Sequence, residues 1–189
     1  MSIATEPANG WPALLRTWRT LDLPDGWKAE ITEGSLRVSP PPGDAHNDIA
    51  DSIHKILARA GNDDWGIYQT RGIRIPGLAR LYIPDLLVMP LDAPREENGV
   101  VLAEHTILAV EITSKDTAEY DRKNKLIAYA FGGVPIYLLI DRWAPEGERC
   151  VVYTDPADRE YRRTVITPFG QSISIPDPIA LDLDTGEFR

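Results

Sequence analysis

Two short apolar runs constrain this chain more than any other feature. Thr106-Ile-Leu-Ala-Val-Glu-Ile-Thr113 and Val134-Pro-Ile-Tyr-Leu-Leu-Ile140 are nearly continuous in hydrophobic residues rather than alternating. A strand with one wet face alternates, whereas a strand covered on both faces has no reason to. The stretch between the runs, from Thr117 to Phe131, reads as a helix, and Gly132-Gly133 is its stop signal. Strand, helix and strand with both strands covered on two faces describe an α/β protein built on a mixed β-sheet flanked by helices.

The rest of the chain adds to that centre. Trp27–Thr32 and Ser35–Ser39, joined by Glu33-Gly34, read as a hairpin, and Pro40-Pro-Pro-Gly43 then breaks the chain. Asp44 starts a helix whose Ile49, Ile53, Ile56 and Leu57 form one apolar face. Ile67, Ile73 and Ile75 fit one further strand, and Leu81–Met89 fits another. Beyond Asp141, the segments Arg149–Thr154, Tyr161–Thr167 and Ser172–Ile175 read as a meander, with a turn at Asp155-Pro-Ala-Asp158. Residues 1–26, punctuated by Pro7, Pro12 and Pro24, read as an N-terminal helical appendage to a main domain over 27–189. A chain of 189 residues is the size of one domain with a real core.

Charge narrows the function classes. With 20 Lys and Arg against 29 Asp and Glu, the formal net charge is −9, the opposite of a surface that grips nucleic acid everywhere by phosphate neutralisation. Binding to a polyanion then requires a local basic patch or metal ions that supply the positive field. No apolar stretch approaches the roughly 18 residues of a membrane span. The N-terminus lacks the basic and apolar regions of a secretory leader, so the expected address is the cytoplasm. Cys150 is the single cysteine, which rules out an internal disulfide and a cysteine zinc site. Neither a phosphate-binding glycine loop nor a nucleophile elbow is present.

Two acids stand in apolar surroundings. Asp85 follows Pro84 inside Tyr82-Ile-Pro-Asp-Leu-Leu-Val88, and Glu111 interrupts the first central run. A single such acid is commonly a satisfied structural acceptor. Two in successive strands bring like charges together, which requires a shared proton or a cation. Oxygen ligands with room for water favour Mg²⁺ or Mn²⁺. Downstream, Asp121, Lys125 and Tyr129 recur at one-turn spacing and share a helix face. That spacing equally describes a solvated ion pair and a lysine that reaches back over the strand end. Lys115, just beyond the strand, is a second basic candidate, while Glu30 and His46 are further acid and histidine candidates.

Taken in order, Ile83-Pro-Asp85, Val110-Glu-Ile-Thr-Ser114, Asp121-Arg-Lys-Asn-Lys125 with Tyr129, Gly133-Val-Pro-Ile-Tyr137 and Leu139-Ile-Asp141 resemble the Uma-type family. That family is a bacterial branch of the PD-(D/E)xK nuclease superfamily and is grouped with the restriction endonucleases. Glu30-Ile-Thr-Glu-Gly34, Val38-Ser-Pro-Pro-Pro42 and His46 match its opening pattern, so the resemblance covers about residues 27 to 183. It implies a restriction-endonuclease-like core, with Asp85, Glu111 and the Ile112 carbonyl as ligands for Mg²⁺ or Mn²⁺. The superfamily lysine normally sits two residues after the acid, where this chain has Thr113. Members of the Uma-type family take a lysine from the next helix, which corresponds to Lys125. The family commonly shows Ser-Pro after its acid strand, whereas this chain has Ser114-Lys115, which keeps Lys115 as an alternative.

The implied activity is metal-dependent endonucleolytic hydrolysis of DNA in the cytoplasm, with a homodimer as the simplest way to cut two strands. The displaced lysine and the acidic net charge give weight to a second possibility, a degenerate nuclease fold that serves as a binding or assembly module. A carboxylate-metal hydrolase of smaller phosphoesters is a third.

Overall fold

A computed structural model describes residues 10–60 and 63–188. Of the appendage, the residues before Gly10 lie outside the described ones. The remainder forms α1 (Trp11–Thr20), with Pro12 in its first turn, where a missing N–H costs nothing. Trp11 is buried, and the Trp18 indole N–H donates to the Ala29 carbonyl at 2.7 Å, which ties α1 to the first hairpin.

That hairpin is β1 (Lys28–Ile31) and β2 (Leu36–Ser39), paired antiparallel. After α2 (Asp44–Ala60) come β3 (Trp65–Tyr68), β4 (Ile73–Ile75), β5 (Arg80–Tyr82), β6 (Leu86–Pro90) and β7 (Val101–Leu102). The central run is β8 (Leu108–Ile112). The following helix comprises α3 (Ala118–Tyr120), a π-type turn over Asp121–Lys125 and α4 (Leu126–Phe131). Then come β9 (Ile136–Asp141), β10 (Arg149–Ala157), β11 (Glu160–Pro168), β12 (Ser172–Ile175) and β13 (Leu181–Asp184).

The described strands form three sheets. The six-stranded sheet has the order β11-β10-β9-β8-β6-β3, and it is mixed because β8 and β9 run parallel while its other pairs are antiparallel. A five-stranded sheet has the order β2-β1-β5-β4-β7, and β12 pairs with β13 alone. Both faces of the central strands are covered, as their continuous hydrophobicity demands. Leu108, Val110, Leu138 and Ile140 pack with Ile49, Ile53 and Leu57 of α2. Ala109, Tyr137 and Leu139 pack on the other face against Ala128 and Tyr129 of α4 and Ile73, Ile75 and Tyr82 of the five-stranded sheet.

Four expectations need correction. Ile67 does not share a strand with Ile73 and Ile75: β3 belongs to the six-stranded sheet and β4 to the other. Leu81–Met89 is likewise two strands in two sheets, because Pro84 has no N–H for a ladder and the chain crosses between sheets at Ile83-Pro84-Asp85. Strand β10 runs through Asp155-Pro156 to Ala157, and the turn falls instead at Asp158 and Arg159, both left-handed. Finally, β12 leaves the meander to pair with β13. Gly133 ends the helix as anticipated, with φ of 74°, a conformation that favours glycine. Among the described residues, no helix is long and apolar enough to cross a membrane.

Candidate active site

Asp85 and Glu111 reach one place because two sheets meet there. The last register pair between β6 and β8 is Leu86 with Val110, so one step further sets Asp85 across from Glu111. Opposed residues of an antiparallel pair have Cβ atoms about 5 Å apart. The main chain fixes this placement: the Asp85 N–H donates to the Val110 carbonyl at 3.0 Å, and the Ile112 N–H donates to Asp85 Oδ2 at 2.9 Å. The described contact of Ile112 with the site is thus made by its amide.

The β1–β2 hairpin forms a second wall. Lys28 and Glu30 lie two apart on β1, and their register partners on β2 are Ser39 and Arg37. Residues opposed across a ladder share a face, and all four line one cavity of about 430 Å³ with Asp85, Glu111, Asp121 and Lys125. Lys28 Nζ lies 2.9 Å from Asp85 Oδ1, and His46 Nε2, from the first turns of α2, lies 3.0 Å from Asp85 Oδ2. Glu30 is buried, not an exposed hairpin residue: its Oε1 accepts from the Ile83 N–H at 2.8 Å and from Lys125 Nζ at 3.1 Å.

The helix supplies the third wall. Lys125 is 6% exposed, and its ammonium sits 2.8 Å from Glu111 Oε1, 3.1 Å from Glu30 Oε1 and 3.6 Å from Asp121 Oδ1. The Tyr129 hydroxyl donates to the same Glu111 Oε1 at 2.7 Å. Asp121, Lys125 and Tyr129 therefore do share a face. In the π-type turn that carries the first two, the Asp121 carbonyl accepts from the buried Tyr137 hydroxyl at 3.1 Å. Wide turns of this type recur at functional sites. Thr113, in place of the superfamily lysine, is fully buried and engaged elsewhere: its hydroxyl oxygen accepts from the Arg142 N–H at 2.9 Å and bonds Asp141. Lys115 is exposed and outside the cavity lining.

Electrostatics separates the two acids. Burial alone would raise the Asp85 carboxyl, but the Lys28 ammonium and then His46 outweigh it and hold Asp85 well below the usual carboxylate range. For Glu111, burial wins: its carboxyl is pushed up to about 8, Lys125 opposes the rise, and Asp121, Asp85 and Glu30 add to it. Burial works against the charge on Lys125, but Glu111, Glu30 and Asp121 overcome it and keep the ammonium protonated. The two acids are thus tolerated in company by the Lys28 and Lys125 contacts and by the raised proton affinity of Glu111. Lys28 was missed in the sequence. The signal was available in the period of two that puts it on the face of Glu30.

The donor set fits a hard divalent cation. Five carboxylates line the cavity against three cationic side chains, and among the described residues Glu111 Oε2 accepts no hydrogen bond from the protein. No three His, Cys, Asp or Glu side chains among the described residues already converge as a ligand cage. Mg²⁺ needs no such cage, because it takes one or two carboxylates and keeps several waters.

A mixed sheet whose neighbouring strands deliver an Asp and a Glu to one cavity, beside a helix-borne lysine, is a restriction-endonuclease-like fold. The pattern of the Uma2 family, described as "Putative restriction endonuclease", matches residues 15–186, and the chain belongs to that family. Its structure is similar to the crystal structure of a putative nuclease belonging to DUF820 from Anabaena variabilis. The TM-score is 0.69 at 19% identity, over 93% of this chain and 96% of the other. No curated protein sequence matches the chain. Family and fold point to a restriction-endonuclease-like nuclease.

Proposed function

We propose that this protein is a metal-dependent endonuclease that hydrolyses phosphodiester bonds of DNA, with Mg²⁺ or Mn²⁺ held by Asp85 and Glu111. The observation that carries the reading is the convergence of Asp85, Glu111 and Lys125 in one cavity. Because carboxylates outnumber cations there, the lining by itself repels a phosphate, and a divalent ion reverses that sign. When bound, the ion would neutralise charge on the phosphate and acidify a water. Asp85 and Glu111 would hold it, with the Ile112 carbonyl as a further ligand. Asp85 suits the task because Lys28 and His46 keep it ionised. Lys125 holds a proton within reach of Glu111 and would orient the attacking water or the scissile oxygen. Glu30 positions that ammonium from the opposite side.

The closed arrangement, with Lys28 on Asp85 and Lys125 on Glu111, also favours a second reading. In it the lysines permanently replace the cation, and the fold is a catalytically degenerate binding module. Supercoiled plasmid decides between them. The enzyme nicks or linearises it with MgCl₂ or MnCl₂, stops with EDTA, and is inactive as Asp85→Ala and Glu111→Ala. Unchanged plasmid together with no heat of Mg²⁺ or Mn²⁺ binding to the wild type establishes the binding module. We also propose a cytoplasmic homodimer, since paired sites cut both strands most simply; sedimentation as a monomer alone contradicts the dimer.

A further inference from the structure

We propose that Arg37, stacked on Tyr120, is a phosphate-binding residue that grips the DNA backbone next to the scissile position. The proposal rests on the nuclease reading above and adds a substrate contact to it. Arg37 lines the cavity from β2, and its guanidinium carbon lies 5.0 Å from the centre of the Tyr120 ring. The other lining cations are committed, Lys28 to Asp85 and Lys125 to Glu111, Glu30 and Asp121. Among the described residues, no carboxylate lies within ion-pair distance of Arg37. The obvious partner would be Glu30, directly across the ladder, but Glu30 has turned its carboxylate to Lys125 and the Ile83 N–H.

Of the described lysines and arginines that line the cavity, Arg37 is the one without an ion pair. A guanidinium over the face of Tyr120 is attracted to the ring. That ring is itself anchored by contact of its hydroxyl with the Tyr82 hydroxyl at 3.2 Å. A planar donor fork that makes no ion pair matches two oxygens of a phosphodiester. Arg37 lines the same cavity as Asp85 and Glu111 without an ion pair to either, which suits a neighbouring phosphate rather than the reacting one.

The test is fluorescence anisotropy of a short labelled DNA duplex in calcium chloride, over a potassium chloride series, beside plasmid cleavage in magnesium. Wild type, Arg37→Ala, Arg37→Lys and Arg162→Ala are compared, with circular dichroism as the folding control. Arg37→Ala should weaken binding roughly tenfold and reduce the slope of log K against log salt by about 0.9, the value of one phosphate contact. Arg37→Lys should restore the slope but only part of the affinity, since an ammonium lacks the fork. Arg162→Ala, an exposed position on β11 outside the cavity lining, should change neither binding nor cleavage. If the wild type binds duplex and Arg37→Ala matches it in affinity and slope, the assignment of Arg37 is overturned. If the wild type neither binds duplex nor nicks plasmid, the nuclease reading itself fails and takes this assignment with it.

Discussion

Removing the Lys125 ammonium should destabilise the protein in a way that magnesium repairs. Lys125→Met keeps most of the side-chain volume but leaves Glu111, Glu30 and Asp121, which lie 2.8, 3.1 and 3.6 Å from the ammonium, without their shared counter-charge. Breaking a buried ion pair costs about 3–5 kcal/mol. For a domain of this size, each kcal/mol moves Tm by about 2–4 °C, so the drop should be about 6–20 °C. Proton uptake by Glu111, whose carboxyl is already pushed up to about 8, offsets part of the loss at low pH. The drop should therefore be larger at pH 9 than at pH 6. A divalent ion at a hundredfold excess over its Kd returns about 2.7 kcal/mol. Differential scanning calorimetry with and without MgCl₂ reads all three effects. A variant that melts within about 2 °C of wild type, or gains no more than wild type from magnesium, refutes the reasoning.

Other substitutions probe the site separately. Lys125→Ala should lower plasmid cleavage by about 10²–10³, the usual cost of losing one transition-state donor, while isothermal titration still shows metal binding; loss in Lys115→Ala instead would move the role to Lys115. Lys28→Met frees Asp85 Oδ1 of its competitor at 2.9 Å and should tighten Mg²⁺ or Mn²⁺ binding by about tenfold, or about 1.4 kcal/mol; weaker binding would show that Lys28 supports the ion. Glu111 has a folded-state pKa above its ordinary 4.5, so the stability from its proton uptake is full below about 4.5 and is lost as pH rises towards about 8. Glu111→Gln lacks that loss, and urea unfolding should show its stability relative to wild type rising over this interval. A constant difference would contradict the buried, raised carboxyl.

The centre of the fold was legible because burial on two faces writes itself into composition, as in Leu108–Ile112 and Ile136–Ile140. The edges were not, because hydrophobic runs do not record which sheet a strand joins. Ile67 and Ile73 look continuous in period, and Pro84 inside Leu81–Met89 marked the crossing that the apolar pattern concealed. At the site, Asp85 and Glu111 stood out as acids in the wrong medium, and Asp121, Lys125 and Tyr129 stood out by spacing. Lys28 and Arg37 did not, since a period of two places them on one hairpin face without saying what that face meets. The same holds for Glu30, whose carboxylate meets Lys125 of the helix and the Ile83 N–H only in the folded chain.

The central claim is that the carboxylates of Asp85 and Glu111 take a divalent ion between them in place of the lysine contacts. A crystal soaked in MnCl₂ and measured at the manganese edge tests it directly. The account predicts an anomalous peak within ligand distance of both acids, with Lys28 or Lys125 moved off its present partner. Saturating manganese with no peak between them, and both ammonium groups still in place, would contradict it.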